Sequence, residues 1–137
     1  MPNTLSPQDA LVYAMVTMSA VDRNMKDVEL ARIGDLVSKL PVFEGFSDET
    51  LVQLAQACGD ALAADDGLND VLRMIEKSLP DRLHETAYAL AVEVAAADLN
   101  VKVEELRFLD LLRDQFDLDK LTCAAIERGA RARHASA

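Results

Sequence analysis

The chain is predicted to be all-α, a compact bundle of about seven helices with an internal pseudo-twofold repeat relating helices one and two to helices five and six. Three observations lead there. Apolar residues recur at spacings of three and four along most of the 137 residues. No stretch alternates with the two-residue period of a strand. The segment Asp22-Arg23-Asn24-Met25-Lys26-Asp27-Val28-Glu29-Leu30 also returns as Asp98-Leu99-Asn100-Val101-Lys102-Val103-Glu104-Glu105-Leu106, at a distance of 76 residues. At that distance Val16 matches Val92, Ala20 matches Ala96, Lys26 matches Lys102 and Leu36 matches Leu112. Two copies fit a duplicated helix–loop–helix inside one domain, since a solenoid requires three or more.

The elements follow in order. Ser6-Pro7-Gln8-Asp9 announces the first helix, with Ser6 as N-cap, Pro7 at the first helical position and Asp9 near the positive helix end. Leu11, Ala14, Met15, Met18 and Val21 form its apolar stripe. A loop through Met25 leads to a second helix carrying Val28, Ile33, Leu36, Val37 and Leu40, which Pro41 ends. Pro41 to Phe46 is a loop with two aromatic plugs. Ser47 caps a third helix, Asp48 to about Ala64, with Leu51, Leu54, Ala55, Cys58 and Leu62 inward.

A shorter fourth helix runs from about Leu68 to Leu79 and buries Val71, Leu72 and Ile75. The fifth, about Asp81 to Ala97, is the most apolar and is expected to be the central one, lying against the first. His84 near its start is expected at the surface, and Glu93 is expected to pair with a Lys or Arg. Helix six, about Val103 to Gln115, presents Leu106, Leu109, Leu112 and Phe116. Helix seven starts near Asp119, carries Leu121, Ala125 and Ile126, and ends in the basic Arg128, Arg131 and Arg133, which suit a helix C-terminus.

Length and composition bound the function classes. A chain of this size is most simply one domain, residues 1–137, with a core large enough to need no staples. Charges interrupt the apolar runs before the roughly 20 residues that a membrane span needs, and the N-terminus lacks a secretory pattern. A cytoplasmic location is therefore expected, with Cys58 and Cys123 as buried thiols rather than a disulfide. A net charge of −10 argues against nucleic acid and anionic membranes as partners and favours cations or basic protein surfaces. No nucleophile–base pair or glycine-rich phosphate loop is present, so no enzyme is expected. No long heptad run suggests a coiled coil, and a monomer or weak homodimer is expected.

The repeated loop is where chemistry concentrates. Asp22, Asn24 and Glu29, and in the second copy Asp98, Asn100 and Glu105, place oxygen donors at spacings that suit a hard divalent cation such as calcium, magnesium or manganese. One copy alone supplies too few ligands for calcium, so a protein-only site needs both loops, or several waters as magnesium accepts. The same residues also read as helix turns. With Lys26 and Lys102 as N-caps, Glu29 and Glu105 fall at the third helical position, where a carboxylate bonds back to the cap amide. Asn24 and Asn100 tolerate the left-handed conformation of a tight turn. Asp22 and Asp98 fit that reading less well, since each follows the negative end of a helix.

These segments, an Asp-x₆-Glu spacing after an Ala-rich helix, resemble the TerB-like tellurite-resistance family. The resemblance extends over Leu40-Pro41-Val42-Phe43 and over Glu85 to Asp98, and in all from about Leu5 to Ala132. It implies a compact helical fold with internal pseudo-symmetry, acidic residues that bind divalent metal, and association with the protein partners of a chemical stress-response system. Carried onto this chain, the implied metal positions are Asp22, Glu29, Asp98 and Glu105. The chain departs from the family in Arg23 and Leu99, where Gly is common, and in Lys26 and Lys102, where Ser or Thr often caps. The alternative to a metal module is a protein-interaction adaptor with acidic helix turns and no metal site.

Overall fold

In a computed structural model that describes residues 5–21, 27–97 and 103–137, the chain is helical, with no strand among those residues. The α-helices are α1 (Pro7–Ala20), α2 (Asp27–Lys39), α3 (Leu51–Ala63), α4 (Gly67–Ser78), α5 (His84–Ala96), α6 (Val103–Phe116) and α7 (Lys120–Arg133). Short 3-10 turns at Pro41–Phe43, Asp48–Thr50 and Asp81–Leu83 lead into or join them.

The start of α1 is built as its sequence dictates. The Ser6 hydroxyl accepts from the Asp9 amide at 3.1 Å, and Pro7 takes the first position. From Ala10 to Ser19 every residue of α1 is buried. The helix packs on α5 and α3 most extensively and also touches α4, α2 and α6. The central helix is therefore α1 rather than α5. Its sequence reads as a single stripe, but α3, α4 and α5 enclose it and Val12, Val16 and Thr17 are buried too, so polar atoms there are met inside the core. Thr17 Oγ1 lies 3.4 Å from Cys58 Sγ, and that thiol donates to the Tyr13 carbonyl at 3.8 Å. On α5, the residues facing the interior are Ala87, Tyr88, Leu90, Ala91, Val92, Val94 and Ala95, while Glu93 stays at the edge.

Ile33 and Val37 carry α2 into the core, and Val28 faces outward. Phe43 and Phe46 meet edge-on at 5.7 Å, as plugs of the loop after Pro41. The Gln8 side chain donates to the carbonyls of Val42 and Glu44 and ties this loop to α1. The third helix begins more tightly than its sequence suggests. Ser47 Oγ accepts from the Glu49 amide, and the Ser47 carbonyl accepts from the Thr50 amide and hydroxyl, so the first turn closes as 3-10.

Between α3 and α4 the chain reverses through Asp66, whose φ of 58° is left-handed, a conformation Asp tolerates. Gly67 follows because nothing larger fits. A Cβ there would stand 2.4 Å from the carbonyl oxygens of Ala61 and Leu62. Val71, Leu72 and Ile75 are buried as expected. After α6, Asp117 turns left-handed at φ 53°, and the Leu118 amide donates to the Arg113 carbonyl at 3.0 Å, which ends the helix before the next begins. Asp119 then caps α7, accepting from the Thr122 amide at 3.0 Å.

Two helical faces differ from the sequence reading. On α6, Leu106 is 53% exposed, and the buried row is Glu105, Phe108, Leu109, Leu112 and Phe116. Phe108 is the larger apolar group, and seating it rotates Leu106 by about 160° away around the helix axis. On α7, Leu121 is 80% exposed and Ala125 is exposed, while Cys123 and Ala130 are buried and Ile126 packs at the margin. His84 is half-buried rather than fully at the surface. Its ring stacks on Phe116 at 4.4 Å, with Nε2 buried and without a hydrogen-bond partner among the described residues.

Candidate functional site

Each copy of the acidic loop opens onto a helix whose first turn is acidic. Helix α2 begins at Asp27 and α6 at Val103, so Glu29 and Glu105 are each the third residue of their helix. Carboxylates there face the positive end of the helix dipole. Glu29 is half-buried, whereas Glu105 is only 5% exposed. Both take part in interactions, and neither is without a partner. A carboxylate buried to that degree has to be met by hydrogen bonds, a counter-charge or a cation, because desolvation without them is strongly unfavourable.

Asp22, Asn24, Asp98 and Asn100 lie outside the described residues. What is described is the chain that leads up to the first of these segments and away from the second. Val21, the residue before Asp22, and Glu104, the second residue of α6, line one cleft of about 690 Å³. Ala20 and Val21 form one side, Leu62, Ala63 and Leu68 the floor between α3 and α4, and Phe108 and Leu111 the far side. Arg107 supplies a cation at the rim beside Glu104. The end of α1 and the start of α6 thus meet at the same end of the molecule. Among the described residues no three His, Cys, Asp or Glu side chains gather at ion-binding distance.

Away from this cleft the polar side chains join helices. Glu93 accepts from Arg133 and lies 3.0 Å from His134 Nε2, which ties α5 to the end of α7 and matches the expected basic partner. Burial pushes the Glu93 carboxyl up, but the bonds from Arg133 and His134 outweigh it and hold the group below the usual carboxylate range. Tyr88 donates to Glu127 Oε2 at 2.5 Å. Its burial, and then the Glu127 carboxylate, push the phenol upward, so it stays protonated. Cys58 and Cys123 are free buried thiols, with burial pushing Cys58 up to about 11. Burial pushes the Cys123 thiol up as well, so both stay protonated near neutral pH.

Sequence reasoning missed the buried side of Glu105 and the role of Phe108 in seating it. A signal existed in the spacing. Glu105, Phe108, Leu109, Leu112 and Phe116 follow the i, i+3, i+4, i+7 and i+11 rhythm, but counting only apolar residues hides a carboxylate within such a row. No helix among the described residues is long and apolar enough to cross a membrane. Compared with protein-family models, curated proteins and solved structures, the chain matches none.

Proposed function

We propose that this chain is a non-enzymatic module that binds or senses a divalent cation through its two acidic turns, in the manner implied by its resemblance to TerB-like proteins and within a response to chemical stress. The observation that carries the reading is the cleft that brings Val21 and Glu104 together, since each adjoins one copy of the Asp-x-Asn loop. Two segments attached to the walls of one cleft can pool ligands that neither could supply alone. Glu105, beside Glu104 in the first turn of α6, is a buried carboxylate of the same copy. The duplication that pairs the turns is supported by the helix bounds. Moving α1 and α2 by 76 residues gives 83–96 and 103–115, against His84–Ala96 for α5 and Val103–Phe116 for α6.

A second reading is favoured by one specific observation. Glu29 and Glu105 are both third in their helices, the place for a carboxylate that does no more than cap. In that reading the protein is an adaptor with acidic turns and no metal. Isothermal titration with calcium, magnesium, manganese and zinc, on the parent and on the Asp22→Ala/Asp98→Ala variant, separates the two. Binding heat for at least one cation, abolished in the variant, is the expected result. No heat for any cation leaves the adaptor, and heat unchanged in the variant rules out Asp22 and Asp98 as the ligands.

A further inference from the structure

Helix α7 carries a charge opposite to the rest of the chain. Its 14 residues hold Lys120, Arg128, Arg131 and Arg133 against the single acid Glu127, a balance of +3 in a protein of −10, which leaves −13 elsewhere. Local structure explains only part of this. Arg133 is engaged with Glu93, and Arg131 and Arg133 suit the negative end of the helix. Lys120 does not, since it stands at the positive end. Arg128 and Arg131 have no ion-pair partner among the described residues, whereas Arg73 and Arg113 are met by acids on their own helices.

The outer ridge of α7 reads Leu121, Ala125, Arg128 and Ala132, at i, i+4, i+7 and i+11, with Ala124 and Arg131 beside it. All six residues are exposed, and Leu121 is the most exposed large apolar side chain among those described. Ala124, Glu127, Arg128 and Arg131 line a shallow groove of about 380 Å³ on this helix. Alanines at the crest let another backbone approach closely, and a single leucine projects as an anchor with cations behind it.

We propose that the outer face of α7 docks an acidic amphipathic helix of another protein, with Leu121 as its apolar anchor and Arg128 and Arg131 pairing its carboxylates. The shape of the charge selects that occupant. Nucleic acid or an anionic bilayer would extend past a strip one helix wide and meet the net −13 of the rest of the chain, which repels it. A second copy docking symmetrically through this face would bring two helices of charge +3 together, which like charge opposes. A helix of three or four turns matches the roughly 21 Å length of α7 and confines its charge to the strip. Helix α7 does not line the α1–α6 cleft, so this surface is independent of the cation reading.

The test uses the full chain and a fluorescent designed helical peptide of about 16 residues, with Glu and Leu along one face, read by anisotropy. A twin with Lys in place of Glu is the control. The acidic peptide is expected to bind and its twin not. Arg128→Glu/Arg131→Glu should weaken binding about tenfold or more, and Leu121→Ser should weaken it by a smaller factor. Both variants should stay folded, because all three side chains are exposed, with a small fall in Tm for the double variant since Arg131 stands near the negative end of α7, and Arg73→Glu on α4 should leave binding unchanged. Absence of acidic-peptide binding, or equal affinity for the parent and the Arg128/Arg131 variant, overturns the proposal. It is also overturned if the two arginines are instead required for binding a single-stranded oligonucleotide, or for concentration-dependent dimerisation seen by sedimentation.

Discussion

Glu93 shows how one carboxylate on an apolar helix is made tolerable. Its side chain is 18% exposed and meets Arg133 and His134, so α7 is fastened at its end to the second most enclosed helix of the bundle. Because these bonds hold its folded-state pKa down despite burial, the folded form binds fewer protons than the unfolded form as the group titrates. The stability it contributes is therefore present above the usual carboxylate range and lost as pH falls through the lowered pKa. Glu93→Gln should cost up to about 1 kcal/mol at pH 7, a modest figure because Arg133 is largely exposed. The difference from the parent should close in acid. Urea melts at pH 7 and pH 3 check this, and a deficit that persists undiminished in acid would contradict it. Cys58 gives the opposite sign. Burial raises its thiol from 9.0 to about 11, with the bond to Thr17 acting the other way, so its contribution is complete below pH 9 and is lost as pH rises toward 11. Thiol labelling at pH 8 should accordingly be slow in the folded protein and fast in urea, and rapid labelling of folded Cys58 would refute the burial argument.

At the scale of the helix, most of the architecture is legible in the chain because caps and stops are local. Ser6, Ser47, Asp119 and Pro41 mark helix ends within a residue or two of where the structure places them. Which face turns inward is less legible, because that choice is settled by neighbours distant in sequence. On α6, Leu106 and Phe108 both look like core residues, and only packing against α1, α4 and α5 decides for Phe108. The same ambiguity placed Leu121 in the core of α7, where Cys123 and Ala130 sit instead. Small residues carry the inner face there, and smallness is a weak hydrophobic signal. Phe108→Ala should therefore cost about 3–5 kcal/mol, whereas Leu106→Ser should stay within about 0.5 kcal/mol. Equilibrium denaturation of the two variants measures both. Comparable losses would mean that α6 is turned differently about its axis.

For the whole molecule, the issue is what acidic segments do in a chain that is already strongly acidic, where the end of α1 and the start of α6 line one cleft. The candidate ligands were visible in the sequence as a repeat, but the nearness of their flanks was not, because the cleft between Val21 and Glu104 is made by α3 and α4 closing around α1. If Asp22, Asp98 and the buried Glu105 share a site, their mutual repulsion without a cation raises at least one folded-state pKa. The folded form then holds more protons than the unfolded form between the two pKa values, so stability falls as pH rises through that window and mild acidification stabilises the cation-free protein. A divalent cation binds the folded state preferentially and replaces the missing positive charge. At 100 times its Kd it adds about 2.7 kcal/mol, and the acid stabilisation should disappear. If each turn only caps its own helix, the helix dipole favours the charged carboxylate, and stability is lost on acidification instead. Melts at pH 5 and pH 7, with and without magnesium or calcium, read out the sign. A protein that loses stability at pH 5 and is indifferent to both cations has two separate turns and no shared site.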